Sequence, residues 1–359
     1  MSYVDAVWTS ETTMTDPTTP LRDHDDTAPP RTPAPAAIVK TVACLGGVCL
    51  ERGVPIEDIG DYIREADNVV WIDVQDPGPE ELSMLLEQFG FHPLALEDVA
   101  KGEQRPKVDE YKGHLFVVTY AVVPDADDHE ARTAEVDLFI GRNYVVTLHR
   151  GRVPALEDAY GRWTRGGAML QEGAGFLAYA VMDAIIDGYF PVIDRIEDEL
   201  DEIEIEMFTQ MNPRAVQSLL RLKRTLVTLR RVVYPLREMF HVFLRRDHPM
   251  FSANTLVYFQ DVHDHVLRCL DMLDLEREMV SGALDAYQMV LSNRLNVTMK
   301  TLAIISMVVG IAGLTFGAWG MNFEYIPWHG HPWGFWGVMI GTAGLIGGVL
   351  LYGWKKGWL

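Results

Sequence analysis

The sequence is poor in basic residues and in cysteine. Its 359 residues include 31 Lys and Arg against 51 Asp and Glu, so the formal net charge is −20 at pH 7. Nucleic-acid binding needs a basic surface, and this charge balance therefore argues against nucleic acid as a partner. Three cysteines, Cys44, Cys49 and Cys269, are an odd and sparse set. They exclude a disulfide framework and fit a reducing compartment.

Motifs for catalysis and nucleotide binding are also missing. The sequence contains no Gly-x-x-x-x-Gly-Lys loop, no nucleophile elbow and no His-Glu-x-x-His pattern. We therefore expect neither an enzyme nor a nucleotide-binding protein. The first 36 residues hold eight Thr and six Pro without the apolar run of a signal peptide. This composition predicts a disordered tail over residues 1–37.

Charge is nearly absent from the last sixty residues. Residues 302–319 and 333–352 are uncharged stretches of 18 and 20 residues. As helices they would be ~27 and ~30 Å long, close to the thickness of a bilayer core. They predict two transmembrane helices, and two buried core helices are the alternative.

Basic residues flank these stretches on one side only. Arg294 and Lys300 precede the first stretch, Lys355 and Lys356 follow the second, and the loop between them has no Lys or Arg. Positive residues stay on the cytoplasmic side, so both termini are predicted to lie on the cytoplasmic side of the cell membrane.

The predicted organisation is a disordered tail (1–37), a cytoplasmic α/β domain (38–170), a helical region with a long stalk helix (171–300), a pore-lining transmembrane helix (301–320), an extracellular loop (321–332), a second transmembrane helix (333–353) and a basic cytoplasmic tail (354–359).

The cytoplasmic part has strand patterns followed by helix patterns, which makes the fold class an α+β membrane protein. Residues 69–74, 115–120 and 144–148 are rich in β-branched and aromatic residues and predict strands, while 79–89 and 92–99 predict helices. Ile193, Ile196, Leu200, Ile203 and Met207 recur at heptad spacing. The other faces of this predicted helix are acidic, and the helix after it is basic. The two helices could form an antiparallel hairpin with facing charges, or their charged faces could be solvated without pairing. Residues 254–300 predict one helix that runs into the first span.

Two spans per chain cannot enclose a pore, so permeation would require a ring of subunits. Small residues recur on one face of the first span at spacings of three and four; they are Ala303, Ser306, Gly310, Gly313, Gly317 and Gly320. They predict a pore lining or, alternatively, a helix-packing seam. A second row, Gly337, Gly341, Gly344 and Gly348, is assigned to packing.

Gly320-Met321-Asn322 follows the first span directly. With the surrounding Trp-Gly-Met-Asn-Phe-Glu-Tyr-Ile-Pro, the second span and the Lys-Lys-Gly-Trp-Leu end, it resembles the CorA family of magnesium and cobalt transporters. Further resemblance lies in residues 92–98, 104–108 and 261–265, and it covers nearly all the chain from about residue 38.

The resemblance implies a funnel-shaped homopentamer in the bilayer that conducts Mg²⁺ and Co²⁺. It implies a selectivity filter of Gly320, Met321 and Asn322, with Glu324 as the acid of the outer loop. Inside the pore it implies a polar ring at Asn296, an aliphatic gate at Leu302 and an acidic entrance ring at Asp285. Gly310 and Gly313 stand where the family often has larger residues.

The resemblance also implies a regulatory site that pairs Asp98 with Asp261 of a neighbouring subunit. Mg²⁺ would then be both the transported ion and the regulatory ligand, since carboxylates are hard oxygen ligands. Asp261, His263, Asp264 and His265 could instead form a zinc cluster. Two other functions stay open: a zinc-transporting member of the same superfamily, and a membrane-tethered Mg²⁺ sensor that does not conduct.

Overall fold

The computed structural model describes residues 37–46, 48–123, 131–165, 173–210, 213–245, 250–321 and 330–358. Apart from residue 37, the predicted N-terminal tail lies outside these ranges. The strands are β1 (Ile38–Leu45), β2 (Val48–Arg52), β3 (Asn68–Gln75), β4 (Lys107–Tyr111), β5 (His114–Val123), β6 (Arg132–Gly141) and β7 (Tyr144–His149). The helices are α1 (Ile59–Arg64), α2 (Pro79–Phe89), α3 (Pro93–Lys101), α4 (Pro154–Thr164), α5 (Ala174–Asp187), α6 (Phe190–Gln210), α7 (Pro213–Phe243), α8 (Ala253–Trp319) and α9 (Gly334–Lys355).

The strands form one seven-stranded sheet in the order β2-β1-β3-β7-β6-β5-β4. β3 and β7 pair in parallel, with Asp73 opposite Thr147, and the other neighbours are antiparallel. The predicted strands correspond to β3, β5 and β7, which are almost wholly buried. Their burial on both faces is the reason that they are continuously apolar.

Two hydrophobic cores lie on opposite faces of the sheet. One contains Trp71, Val117 and Leu138 and extends into α4–α8. The other contains Ile72, Phe116 and Phe139 and is closed by α1–α3. Alternate residues of each strand point to opposite faces, so the sheet separates these two groups of helices.

Local capping sets the ends of α2 and α3. α2 begins after Gly78, whose N–H donates to the Glu81 carboxylate at 2.9 Å, and ends before Gly90 at φ +64°. At the start of α3, Nδ1 of His92 accepts the N–H of Leu94 at 3.2 Å. Gly102, at φ +65°, follows its last residue. A side chain is disfavoured at such φ values, so glycine marks both ends.

α6 and α7 form the predicted hairpin, and its contact is mainly apolar. The heptad residues of α6 are all buried, as are Leu219, Leu222 and Leu226 of α7. Arg221 of α7 forms a half-buried ion pair with Glu199 of α6, while Nε of Arg230 lies 2.8 Å from Asp274 of α8. The basic residues of α7 therefore pair with acids of both α6 and α8, and facing charges are only part of the contact between α6 and α7.

α8 is a single helix of 67 residues, ~100 Å long, that joins the cytoplasmic layers to the first predicted span. α8 and α9 each contain an apolar stretch of 18 residues. Only 6% of this stretch is buried in α8, and 11% in α9. A third segment, Ala174–Met207, is also long and apolar enough to cross a membrane, but 67% of its apolar stretch is buried. It packs on the sheet as core, so the structure supports α8 and α9 as the membrane-spanning pair.

Candidate ion pathway and metal sites

One face of α8 carries the predicted pore residues, and no other described part of the subunit covers it. Leu302, Ser306, Gly310, Gly313 and Gly317 are all exposed. At 100° per residue they lie within an arc of about 80°. A Cβ added to any of the three glycines would meet no atom within 4 Å. Small residues thus form an open face, as a pore lining or a contact between subunits requires.

α9 packs on the opposite side of α8. Ile304 is buried there, and Ile311 and Thr315 are partly covered. On α9 the buried residues are Gly334, Thr342 and Gly353. Of the α9 row assigned to packing, Gly344 and Gly348 line an apolar groove together with Ala303 and Ile304 of α8. A Cβ at any of the four glycines would meet nothing within 4 Å inside the subunit, so their packing role stays a prediction.

The cytoplasmic approach to the first span is also uncovered. Every residue from 291 to 300 is exposed, including Asn296. Asp285, which precedes this stretch on the same helix, is also exposed. Apolar side chains such as Leu295 (57% exposed) and Met299 (64%) belong to this stretch. A helix with apolar residues exposed all round needs neighbours to bury them.

α8 ends at the predicted selectivity filter. The N–H of Gly320 donates to the carbonyl of Phe316 at 2.9 Å and to that of Gly317 at 3.2 Å. Met321 follows the helix and is 51% exposed. Asn322 and Glu324, the other predicted residues of the mouth, lie outside the described residues.

The other membrane interface is marked by an aromatic and basic contact. Nζ of Lys300 lies 6.0 Å from the ring centroid of Trp358, which meets Tyr352 edge-on at 5.9 Å. The end of the chain therefore folds back to the start of the first span. Aromatic and basic residues at one end of a span are typical of the cytoplasmic membrane interface.

Asp98, a predicted regulatory ligand, is half-buried on α3 beside a basic residue. Nζ of Lys107 lies 2.7 Å from its Oδ2 and 2.7 Å from Oδ2 of Asp109. Hydrogen bonds to the two aspartates raise the pKa of Lys107 despite its desolvation, so its charge is retained. An ion that binds Asp98 must compete with this ammonium.

Asp261, the other predicted ligand, is exposed on α8 and does not pair with Asp98 in the described subunit. α3 closes the core on one face of the sheet, whereas α8 packs with α5 on the other. The sheet therefore stands between the two helices. Any ion bridge between these aspartates would have to join different subunits.

Sequence reasoning missed a group of potential metal ligands beside Asp261. Ligand atoms of Asp183, Asp187 and His265 lie within 4.8 Å of one another, and Nδ1 of His265 is 3.5 Å from Oδ1 of Asp187. Burial and the charge of Asp187 raise the pKa of Asp183. The i, i+4 spacing of the two aspartates was a readable signal, but His265 comes from a different helix.

The predicted zinc cluster of residues 261–265 is not assembled. His263 is 9% exposed and lies against Phe240 and His241, and burial lowers its pKa. Asp261 and Asp264 are exposed instead. Consecutive helical residues point in different directions, so only His265 of this set joins a group of three potential ligands among the described residues.

Comparisons with known proteins agree with this architecture. The sequence profile of the family described as CorA-like Mg²⁺ transporter protein matches residues 66–352. The cobalt/magnesium transport protein CorA of Thermotoga maritima is 34% identical over 302 residues, which cover 82% of this chain and 85% of that protein. The zinc transport protein ZntB of Cronobacter sakazakii is 24% identical over 307 residues, 85% of this chain and 92% of that protein.

A solved structure shares the fold over most of the chain. The complete structure of the CorA magnesium transporter from Methanocaldococcus jannaschii superposes with a TM-score of 0.76 at 24% identity, covering 89% of this chain and 98% of that one. The predicted resemblance, fold class and membrane location are thereby confirmed. So is the prediction that the chain is not an enzyme, because the matching family consists of transporters. The chain belongs to the CorA-like Mg²⁺ transporter family and is a membrane transporter of divalent metal ions.

Proposed function

We propose that this protein is a homopentameric channel that lets Mg²⁺ and Co²⁺ into the cytoplasm. The observation that carries the proposal is the open face of α8 from Leu302 to Gly317, together with the fully exposed stretch before it. In a closed ring of subunits α8 would line the pore and α9 would lie outside, since α9 covers the opposite side. Five subunits are taken from the family resemblance.

The ion would enter at Asn322. Mg²⁺ gives up its water reluctantly, so an amide ring that holds the hydrated ion is better suited than a carboxylate ring that traps it. Gly320 and Met321 would shape this turn, and Glu324 would raise the local cation concentration. No nucleotide is needed, because the membrane potential supplies ~4.6 kcal/mol per divalent ion at 100 mV.

The gate would lie at the cytoplasmic end of the span. Leu302 is 61% exposed in the single subunit, and a ring of such side chains would form a dry constriction that gates by dewetting. Asn296 and Asp285 would hold and gather cations below it. Intracellular Mg²⁺ bound between Asp98 and Asp261 of adjacent subunits would favour the closed ring, which makes the regulation negative feedback.

Two other functions compete with this one. A zinc-transporting member of the superfamily is supported by the Asp183, Asp187 and His265 group, since three protein ligands including a histidine suit zinc. The intact Gly320-Met321-Asn322 motif favours Mg²⁺ instead. A Mg²⁺ sensor that does not conduct would share every cytoplasmic feature.

Flux into proteoliposomes under an imposed negative-inside potential separates these possibilities. The purified protein is expected to admit Mg²⁺ and Co²⁺ faster than protein-free liposomes do. Uptake of Zn²⁺ without Mg²⁺ would establish the zinc function. Absence of flux for Mg²⁺, Co²⁺, Ni²⁺ and Zn²⁺ from a correctly assembled protein would leave the sensor.

A further inference from the structure

An acidic cavity lies inside the cytoplasmic domain, between the sheet and the segment that follows α3. Its volume is about 350 Å³. Residues of the sheet form one wall, and Val99, Gly102 and Glu103 form another. Asp98 and Asp261 are not among the residues that line it, so the cavity differs from the predicted regulatory site.

Three carboxyl groups line this cavity, from Glu103, Glu135 and Asp137. Asp137 is only 5% exposed, and its Oδ1 has no hydrogen-bond partner among the described residues. Oε1 of Glu135 is buried and has no partner there either. The other oxygen of Glu135 accepts the N–H of Gln104 at 3.0 Å and lies 3.0 Å from the hydroxyl of Tyr120. Each of two neighbouring carboxyls thus offers one unused oxygen.

The charge of the cavity matches a divalent cation. One guanidinium, that of Arg150, lines the cavity with the three carboxyls, which leaves a formal charge of −2 when all are ionised. Arg150 is also engaged elsewhere, because its Nη2 donates to the carbonyl of Ala100 at 3.0 Å. Burial and the charges of Glu135 and Asp98 raise the pKa of Asp137 well above its ordinary value. A buried carboxyl of this kind needs a proton or a cation to balance it.

We propose that this cavity binds one divalent cation of the Mg²⁺ class within each subunit, with Asp137 and Glu135 as direct ligands. Carboxylate oxygens are the ligands that Mg²⁺ prefers, and it usually keeps several of its waters. A hydrated ion with six waters fills on the order of 200 Å³ at ~30 Å³ per molecule, so the cavity is large enough. Glu103 and Arg150 then face the waters of the bound ion.

The position of the cavity connects this ion to two other parts of the subunit. The segment from Gly102 to Pro106 follows the helix that carries Asp98 and leads into Lys107, the partner of Asp98. Glu103, Tyr120 and Thr133 also line a second cavity of about 570 Å³ that reaches α7. A bound ion would therefore fix the segment between α3 and β4, which lines this second cavity together with α7. The proposal itself requires no conduction through the pore.

Binding of Mn²⁺ to the purified full-length protein in detergent tests the site. Free Mn²⁺ is counted by electron paramagnetic resonance during a titration at neutral pH. To simplify the count, Asp98→Asn, Asp261→Asn and Asp187→Asn are present in every protein compared. Adding Asp137→Asn or Glu135→Gln is expected to remove one bound ion per subunit or to weaken its binding at least tenfold, whereas Glu87→Gln, an exposed carboxyl on α2, leaves the count unchanged.

The same number and affinity of ions in all four proteins would overturn the proposal and would mean that protons neutralise the cavity. If the Asp137 and Glu135 variants do not fold, crystals of the unmodified protein soaked in Mn²⁺ decide the matter. An anomalous peak between Asp137 and Glu135 supports the site, and an empty cavity beside other occupied Mn²⁺ sites refutes it.

Discussion

The ammonium of Lys107 and the carboxylate of Asp98 lie 2.7 Å apart at the start of β4, and Asp109 shares the same ammonium. The pair is about two-thirds buried, with side-chain exposures of 32% and 26%. Solvent screening is therefore weaker than at an exposed surface pair. A built-in cation already neutralises the residue proposed to bind regulatory Mg²⁺.

Lys107→Gln is accordingly expected to strengthen regulatory Mg²⁺ binding. Removing a competing charge should lower the Mg²⁺ concentration at half-maximal protection from proteolysis by about tenfold, equivalent to ~1.4 kcal/mol. Limited chymotrypsin digestion across a Mg²⁺ series measures this concentration. Lys112→Gln, an exposed lysine in the turn before β5, is the control. An unchanged midpoint in Lys107→Gln would show that Asp98 is not a ligand.

Asn322→Ala tests the mouth of the pore. Loss of the amide ring should reduce Mg²⁺ uptake by at least tenfold, because the hydrated ion would lose the amide oxygens that are proposed to hold its waters at the pore mouth. Uptake in proteoliposomes measures the effect, and size-exclusion chromatography checks assembly. Asn254→Ala, an exposed position at the start of α8, should behave as the unmodified protein. Near-normal uptake by an assembled Asn322→Ala protein would remove Asn322 from the filter.

Glu276→Gln tests a buried acid of the stalk. Glu276 is 3% exposed, and Oε2 has no hydrogen-bond partner among the described residues. Burial, and then the charges of Glu197 and Asp201, raise its pKa above 4.5. The folded state therefore keeps this proton to higher pH than the unfolded state, and stability falls as pH rises from the unfolded value through the folded one.

The uncharged amide avoids this loss at neutral pH. Glu276→Gln should raise the melting temperature by about 2 °C at pH 7, with the gain shrinking as pH is lowered toward 4.5. Differential scanning fluorimetry at several pH values gives both quantities. Glu278→Gln, exposed two residues further along α8, should have no such effect. A lower melting temperature for Glu276→Gln at pH 7 would mean that the carboxylate is compensated by a bound cation or a neighbouring subunit.

Much of the fold could be predicted because the signals were local. β3, β5 and β7 are continuous β-branched and aromatic runs. α2 was predicted with its observed bounds from the turn sequence Asp76-Pro77-Gly78 before it, and the structure adds Gly90 as its C-cap. β4 and β6 were not predicted. They begin with polar residues and are strands because of their pairing with β5, which the local pattern does not contain.

The candidate metal groups also combine residues that are close in the sequence with residues from distant elements. Asp183 and Asp187 lie four residues apart on one helix, but their third partner, His265, is on α8. Glu135 and Asp137 alternate on β6 as solvated residues would, but the end of α3, the segment after it and the end of β7 line the cavity with them. Sequence spacing reports neighbours on one element, whereas the ligand groups here are completed by a second element.

Gly330→Cys tests the orientation of the membrane pair. Gly330 is exposed in the turn just before α9, on the side opposite to Lys355. In intact spheroplasts an impermeant maleimide should label Gly330→Cys, and Lys355→Cys should be labelled only after permeabilisation. The described native cysteines, Cys44 and Cys269, are buried, and a protein without the added cysteine gives the background. The reverse pattern of labelling would place both termini outside the cell.

The last prediction joins the sheet to the pore. Asp98 and Asp261 belong to helices on opposite faces of the sheet, so a Mg²⁺ ion that bridges them must hold two subunits together. When cytoplasmic Mg²⁺ falls, we expect the ion to leave and the carboxylates to repel each other, and α8 would then transmit the separation of the subunits to Leu302. The ion closes the gate only to the extent that it binds the closed ring more tightly. A near-complete shift requires ~5.5 kcal/mol, which several such interfaces acting together would have to supply.

Asp98→Lys combined with Asp261→Lys replaces the bridging ion with fixed positive charge. Mg²⁺ should then lose its ability to protect the cytoplasmic domain, and digestion rates with and without Mg²⁺ should agree within about twofold. Chymotrypsin is the suitable protease, because new lysines would add trypsin sites. Glu87→Lys with Asp271→Lys changes the same number of exposed or half-exposed acids, one of them on α8, and should keep full Mg²⁺ protection. If the Asp98 and Asp261 double variant is still protected by Mg²⁺ as strongly as this control, the regulatory ion binds elsewhere, and the Asp183, Asp187 and His265 group becomes the next candidate.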